Sequence, residues 1–153
     1  MDRYLSTFSN RLDAKGRVSI PASFRAILTR DGFPGLLVHP SLDLEALDAG
    51  GAALLSEIDR LLATLAPYSE ERDSLSTALL GMSEALKIDG EGRVVLTDSL
   101  KTYAGIGDAV VFVGQGSKFQ MWEPERFRAH LAASREKARE LKRMLSRAPE
   151  HRP

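Results

Sequence analysis

The 153-residue chain sets 21 Lys and Arg against 21 Asp and Glu, so it carries no net charge near pH 7 and global basicity offers no argument for nucleic acid. With 43% hydrophobic and 27% charged residues it has the make-up of a globular chain, long enough for one ordinary domain or two small ones. The lack of cysteine excludes disulfides, iron-sulfur clusters, thiolate zinc sites and cysteine nucleophiles, and the lack of an apolar leader or of a run near the roughly 18 apolar residues of a membrane span fits a cytoplasmic address without membrane insertion.

In chain order, the segment Leu12-Asp13-Ala14-Lys15-Gly16-Arg17-Val18-Ser19-Ile20 reads as strand, tight turn and strand, with Gly16 supplying the turn. Pro21 suits the first turn of a short helix whose apolar positions are Phe24, Ile27 and Leu28. A turn spanning Gly32 to Gly35 then precedes the apolar strand Leu36-Leu37-Val38. Leu54, Leu55, Ile58, Leu61, Leu62 and Leu65 follow helical periodicity up to Pro67. Ser69, Glu70 and Glu71 start a second helix, with Leu75, Leu79 and Leu80 on its apolar face and Gly81 at its end.

From Ile88 the pattern starts again. Ile88-Asp89-Gly90-Glu91-Gly92-Arg93-Val94-Val95-Leu96 echoes the first segment at an offset of 76 residues, and Ser99-Leu100-Lys101 falls on Ser23-Phe24-Arg25. Thr97-Asp98-Ser99 can cap a helix carrying Leu100, Tyr103 and Ala104. Val110-Val111-Phe112-Val113 follows the turn at Gly105 to Gly107, and Lys118 to Trp122 forms one more strand. A duplicated module of strand, turn, strand, short helix, strand, strand is the simplest explanation. Pro124-Glu125 opens a basic amphipathic helix with Phe127, Leu131, Ala138, Leu141 and Leu145 on one stripe, fraying at Ala148-Pro149.

The neutral total is an average over unlike segments. Residues 1–35 hold six cations and three anions, residues 36–86 two and nine, residues 87–122 four and four, and residues 123–153 nine and five. A partner's field responds to local charge over about 10 Å, so basic ends and an acidic middle point to different tasks.

The repeated Asp-x-x-x-Arg admits two readings. As a structural element, the Asp accepts backbone N–H groups of the turn and the Arg closes an ion pair across it. As a functional element, Arg17 with Lys15 and Arg11 nearby presents a guanidinium fork to phosphates or guanine edges, which a two-stranded ribbon can carry into a major groove. The first copy is the better candidate, because Glu91 in the second opposes a phosphate.

The two motifs, their helical linker, Leu79-Leu80-Gly81 and the run from Val113 to Glu123 together resemble the MraZ family of bacterial transcriptional regulators with two SpoVT/AbrB-like modules, over about residues 4 to 132. The resemblance implies an α+β fold of tandem β-rich, small-barrel-like modules with a helical linker and a C-terminal helix. The limits expected are residues 7–54 for the first module and the start of the linker, 55–82 for the rest of the linker, 83–126 for the second module and 127–153 for the tail. It further implies a cytoplasmic, nucleoid-associated repressor of the division and cell-wall gene cluster, its own promoter included, which binds direct repeats in double-stranded DNA as a ring-shaped homo-oligomer. Carried over by position, the DNA-binding set is Asp13, Lys15, Arg17 and Arg11, with Asp89 and Arg93 from the second motif, and Arg17 as the principal contact. The acidic linker, the basic tail and Glu91 depart from what the family would lend.

Other features carry less. His39, His130 and His151 share no ligand spacing and read as ordinary surface or boundary histidines, so no metal or cofactor is expected. Gly105-x-Gly107 and Gly114-x-Gly116 lack the strand-to-helix setting of a phosphate loop. Phe119, Met121 and Trp122 read as core or interface residues. No nucleophile, base and orienter stand together, so an enzyme is not expected. The alternative to DNA binding is a protein-interaction module, like antitoxin relatives of the AbrB-like fold.

Overall fold

A computed structural model describes residues 2–147. The reading of the tail as frayed at Ala148-Pro149, and His151 with it, lies outside the described residues. The chain divides into two compact units, Met1–Glu123 and Pro124–Pro153.

The first unit is mixed α and β. Its strands are β1 (Thr7–Arg11), β2 (Arg17–Ser19), β3 (Leu36–Pro40), β4 (Leu47–Gly50), β5 (Glu84–Leu86), β6 (Arg93–Val95), β7 (Ala109–Gly114) and β8 (Phe119–Trp122). Its helices are α1 (Ala22–Asp31), α2 (Ala52–Ala63), α3 (Glu70–Ser76) and α4 (Asp98–Ala104), with a π-helical turn at Thr77–Gly81 extending α3. Each copy of the repeat thus supplies two strands, a helix and two more strands. The strands form a six-stranded antiparallel sheet in the order β1-β7-β8-β4-β3-β5 and a separate β2-β6 ribbon, and no closed barrel is formed.

This order interleaves the copies. β1 pairs with β7 and β5 pairs with β3, so each copy gives its first strand to the other. The exchange obeys a pseudo-twofold rule. Asn10 opposite Val110 corresponds to Leu86 opposite Leu36, and Val111 opposite Trp122 corresponds to Leu37 opposite Gly50. Two pairs sit on the axis itself: Asp48 opposite Gln120 between β4 and β8, and Val18 opposite Val94 between β2 and β6. An extended strand must find a partner for its N–H and C=O groups, and here the partner always comes from the sister copy or the same β3-β4 or β7-β8 hairpin.

Packing follows from strand alternation. Leu36 and Val38 of β3, Leu47 and Ala49 of β4, Val110 and Phe112 of β7, and Phe119 and Met121 of β8 point into one core, closed by Val18, Ile20, Val94 and Leu96 and by the apolar faces of α1 and α4. Phe24 of α1 lies at its centre, with ring centroids 5.2 Å from Tyr4, 5.4 Å from Phe8 and 4.7 Å from Phe119. Leu37 turns to the opposite face and meets Leu54, Ile58 and Leu62 of α2 and Leu79 of the π turn. On that same face Asp48 is buried but accepts a hydrogen bond from Lys118 Nζ at 3.0 Å, and Gln120 accepts one from Trp122 Nε1 at 2.9 Å. Paired in this way, buried polar groups avoid most of the desolvation penalty.

The second unit is the helix α5 (Pro124–Ser146), which has no buried residue. Its Arg139–Glu136 and Arg143–Glu140 pairs, at 2.6 and 2.5 Å, lie one turn apart, while Leu131, Leu141 and Leu145 stand exposed. Among the described residues no helix is long and apolar enough to cross a membrane, and no cluster of His, Cys, Asp and Glu could hold a metal ion.

Strand exchange makes a specific demand on folding. A fragment of residues 1–82 retains β1, β2 and β3 but loses every strand of the second copy that pairs with them. It is expected to lack cooperative unfolding and dispersed amide resonances, whereas Phe24→Ala in the full chain is expected to stay folded with a loss of about 3–5 kcal/mol in urea unfolding. A folded, cooperative fragment would show that the copies are independent.

Candidate nucleic-acid interface

Both Asp-x-x-x-Arg motifs fold into the same turn. Asp13 N–H donates to Arg17 O at 2.9 Å and Gly16 N–H donates to Asp13 O at 2.9 Å, while Asp13 Oδ1 accepts the backbone N–H groups of Lys15 and Arg17, both at 2.9 Å. Asp13 Oδ2 then accepts Arg17 Nε at 2.6 Å. In the second copy Asp89 Oδ1 accepts Glu91 N–H at 2.8 Å and Arg93 N–H at 2.9 Å, and Asp89 Oδ2 accepts Arg93 Nε at 2.9 Å. Gly16 and Gly92 have φ of +78° and +80°, a conformation that favours glycine at this place in the turn. The spacing is therefore dictated by the turn: a short carboxylate reaches the N–H groups two and four residues on, while the glycine N–H between them goes to the Asp carbonyl, and its second oxygen reaches the side chain four residues on.

Those hydrogen bonds act on the charges. Backbone donation from Arg17, helped by its side chain and by Lys15, holds the Asp13 carboxyl below the usual carboxylate range against opposing desolvation. Backbone donation from Arg93 does the same for Asp89, with Glu91 N–H and the Arg93 side chain contributing. The hydrogen bond to Asp89 raises Arg93, and the charges of Asp89, Glu91 and Asp13 add to it. The field of Asp13 at Arg93 reflects the proximity of the two turns.

The ribbon accounts for that proximity. Arg17 pairs with Val95, Val18 with Val94 and Ser19 with Arg93, and the ladder is extended by Ile20 N–H to Gly92 O at 3.0 Å and Leu96 N–H to Gly16 O at 3.1 Å. Val18 and Val94 face the core, so alternation places Arg17, Ser19, Arg93 and Val95 together on the outer face. The structure thus joins Asp13, Lys15, Arg17, Asp89 and Arg93 in one surface. Arg11 stands at the end of β1 and pairs with Asp108 at 3.3 Å, with both side chains about 80% exposed. Asn10, which sequence reasoning passed over, donates from Nδ2 to Ser19 O at 2.8 Å and ties β1 to the ribbon. Ser19 and Val95 were also missed, although they occupy equivalent exposed positions in the repeat.

The two turns differ in their outermost contacts. Arg93 holds two carboxylates, Asp89 through Nε and Glu91 through Nη2 at 2.7 Å. Arg17 holds only Asp13 among the described residues, and the residue equivalent to Glu91 is Lys15, an exposed cation. A guanidinium fixed at Nε by its own turn, with its terminal nitrogens unclaimed among the described residues, can donate them to a planar anion or a guanine edge.

Comparison with known proteins bears on the whole chain. The family model of the MraZ protein matches residues 79–148. The protein named transcriptional regulator MraZ in Beijerinckia indica is 68% identical over 149 residues, covering 97% of this chain and 91% of that one. Its namesake in Methylocella silvestris is 66% identical over 146 residues, covering 95% and 89%. That of Rickettsia bellii is 42% identical over 146 residues, covering 95% and 97%.

The lowered carboxyls have a consequence for acid stability. As pH falls through about 4 the unfolded chain takes up protons at these positions before the folded one, so the stability they contribute is complete above that range and is lost below it. Urea midpoints measured from pH 7 to pH 2.5 should decline below about pH 4. The Asp13→Asn, Asp89→Asn double variant should start lower at neutral pH and decline less steeply; an acid decline as steep as in the parent would refute the assignment.

Proposed function

The chain belongs to the MraZ family, and from that membership we propose that it is a DNA-binding transcriptional regulator, without enzymatic activity, that works through the outer face of the β2-β6 ribbon. The observation that carries this reading is Arg17: Asp13 clamps its Nε, its terminal nitrogens are unclaimed among the described residues, and Lys15 lies beside it. A two-stranded ribbon fits a major groove, where an arginine fork can meet guanine O6 and N7 or a phosphate. Asp13 and Asp89 set the turns, Arg17 and Lys15 make the principal contacts, and Arg93 and Arg11 are secondary. The finer proposal is a nucleoid-associated, cytoplasmic repressor of the division and cell-wall gene cluster, including its own promoter.

A neutral chain needs multiplied contacts. In our reading successive subunits of a ring-shaped homo-oligomer engage direct repeats, so that one or two cations per subunit suffice through linked binding. The expected module limits, 7–54 and 83–126 with the linker 55–82 and the tail 127–153, remain a proposal for the evolutionary repeat; the two copies share one core.

Footprinting on the DNA upstream of the gene tests the reading. Evenly spaced protection is expected, with an apparent affinity that falls steeply with salt. Arg17→Ala should abolish it while circular dichroism and oligomer mass stay unchanged. Lack of protection at low salt, together with a co-purifying protein partner, would favour the protein-interaction reading instead.

A further inference from the structure

We infer that Glu91 sets the ranking of the two turns toward DNA: it weakens the second turn and makes the Asp13–Arg17 turn the principal reading one. This rests on the DNA-binding function proposed above and adds a residue with a role in specificity. The two turns have the same backbone hydrogen bonds, the same glycine conformation and the same Asp-to-Arg Nε clamp, so the geometry of the motif itself does not distinguish them. Charge does. The motif side chains Asp13, Lys15 and Arg17 sum to one positive charge and Asp89, Glu91 and Arg93 to one negative charge; each turn also has one cation packed at its glycine, Lys101 at Gly16 and Arg25 at Gly92, so the difference of two charges between the turns remains.

The position of that charge matters as much as its sign. Glu91 Oε1 sits 2.7 Å from Arg93 Nη2, on the nitrogen that in Arg17 is left for a ligand. To reach DNA, Arg93 must give up this partner, and the freed carboxylate, about three-quarters exposed, would then face the phosphates. An exposed ion pair is weak and does not lock Arg93 away by itself. The like charge that remains beside the DNA backbone is the larger obstacle. Sequence difference at one turn position thus breaks the functional equivalence of two turns that the fold makes alike.

Exchange of charges tests this on the full-length protein with a direct-repeat duplex, by titration across a salt series. Glu91→Lys should bind several-fold more tightly at low salt and steepen the slope of log K against log salt by about 0.9 for each further phosphate neutralised per subunit. Lys15→Glu should weaken binding, and the double exchange should recover much of it through the second turn. Asp59→Lys makes the same change of charge at an exposed site on α2, a helix that packs against β4, α1 and α3. It should leave the slope as in the parent. If Glu91→Lys leaves affinity and slope unchanged, or Asp59→Lys steepens the slope equally, the role of Glu91 is overturned while DNA binding by the parent stands. If the parent shows no salt-dependent binding, the function and this inference fall together.

Discussion

Neither copy of the repeat can satisfy its own backbone. β2 and β6 are three residues long, and each finds its ladder only in the other. β1 and β5 depend on β7 and β3 of the opposite copy in the same way. A module of about 45 residues buries too little apolar surface to stand comfortably alone, and exchange of strands places both sets of apolar residues in one core. Val18 and Val94, side by side on the pseudo-twofold axis and almost wholly buried, join the ribbon to that core. The outer face is consequently rigid where its inner face is packed, and Arg17 and Arg93 emerge from a fixed base.

Much of this can be read in the sequence, and the reasons are physical. The offset of 76 residues exposed the duplication, and the paired Asp, Gly and Arg marked two identical turns because each type is needed at its place. The helical linker announced itself by leucines at helical spacing. What could not be read was which strand pairs with which, since alternation identifies a face but not a neighbour. β4 was also obscure: Leu47-Asp48-Ala49-Gly50 has two residues that strands disfavour, and it is held by ladders to β3 and β8 and by the burial of Leu47 and Ala49, with Asp48 paired to Lys118. The second linker helix was expected to run smoothly to Gly81, but it widens into a π turn that buries Leu79 and leaves Leu80 partly exposed. At the candidate site, the charged residues of the two motifs can be named individually from the sequence, but Arg25 at Gly92 and Lys101 near Gly16 cannot. Nor can the union of the motif residues on one face, because it is created by pairing over a distance of 76 residues.

The structural and functional readings of Asp-x-x-x-Arg are compatible. One atom of the arginine, Nε, belongs to the turn, and the carboxylate that holds it also organises two backbone N–H groups. The cost of ordering a long side chain is therefore met within the folded chain before any ligand arrives. Neutral overall charge is no obstacle to such a surface, because what matters is the local sign within a few ångströms of the guanidinium and how many copies of it are linked.

The pseudo-twofold axis carries one more implication. A dimer assembled from two identical chains would have to present identical turns, and its natural target would be a palindrome. Here both halves lie in a single polypeptide, so mutation can alter one without the other, as Lys15 and Glu91 have diverged at matched positions. The chain thereby acquires a head and a tail while keeping a symmetric scaffold. An object with direction can be laid end to end along a double helix with every member pointing the same way, an arrangement that a strictly symmetric dimer cannot adopt.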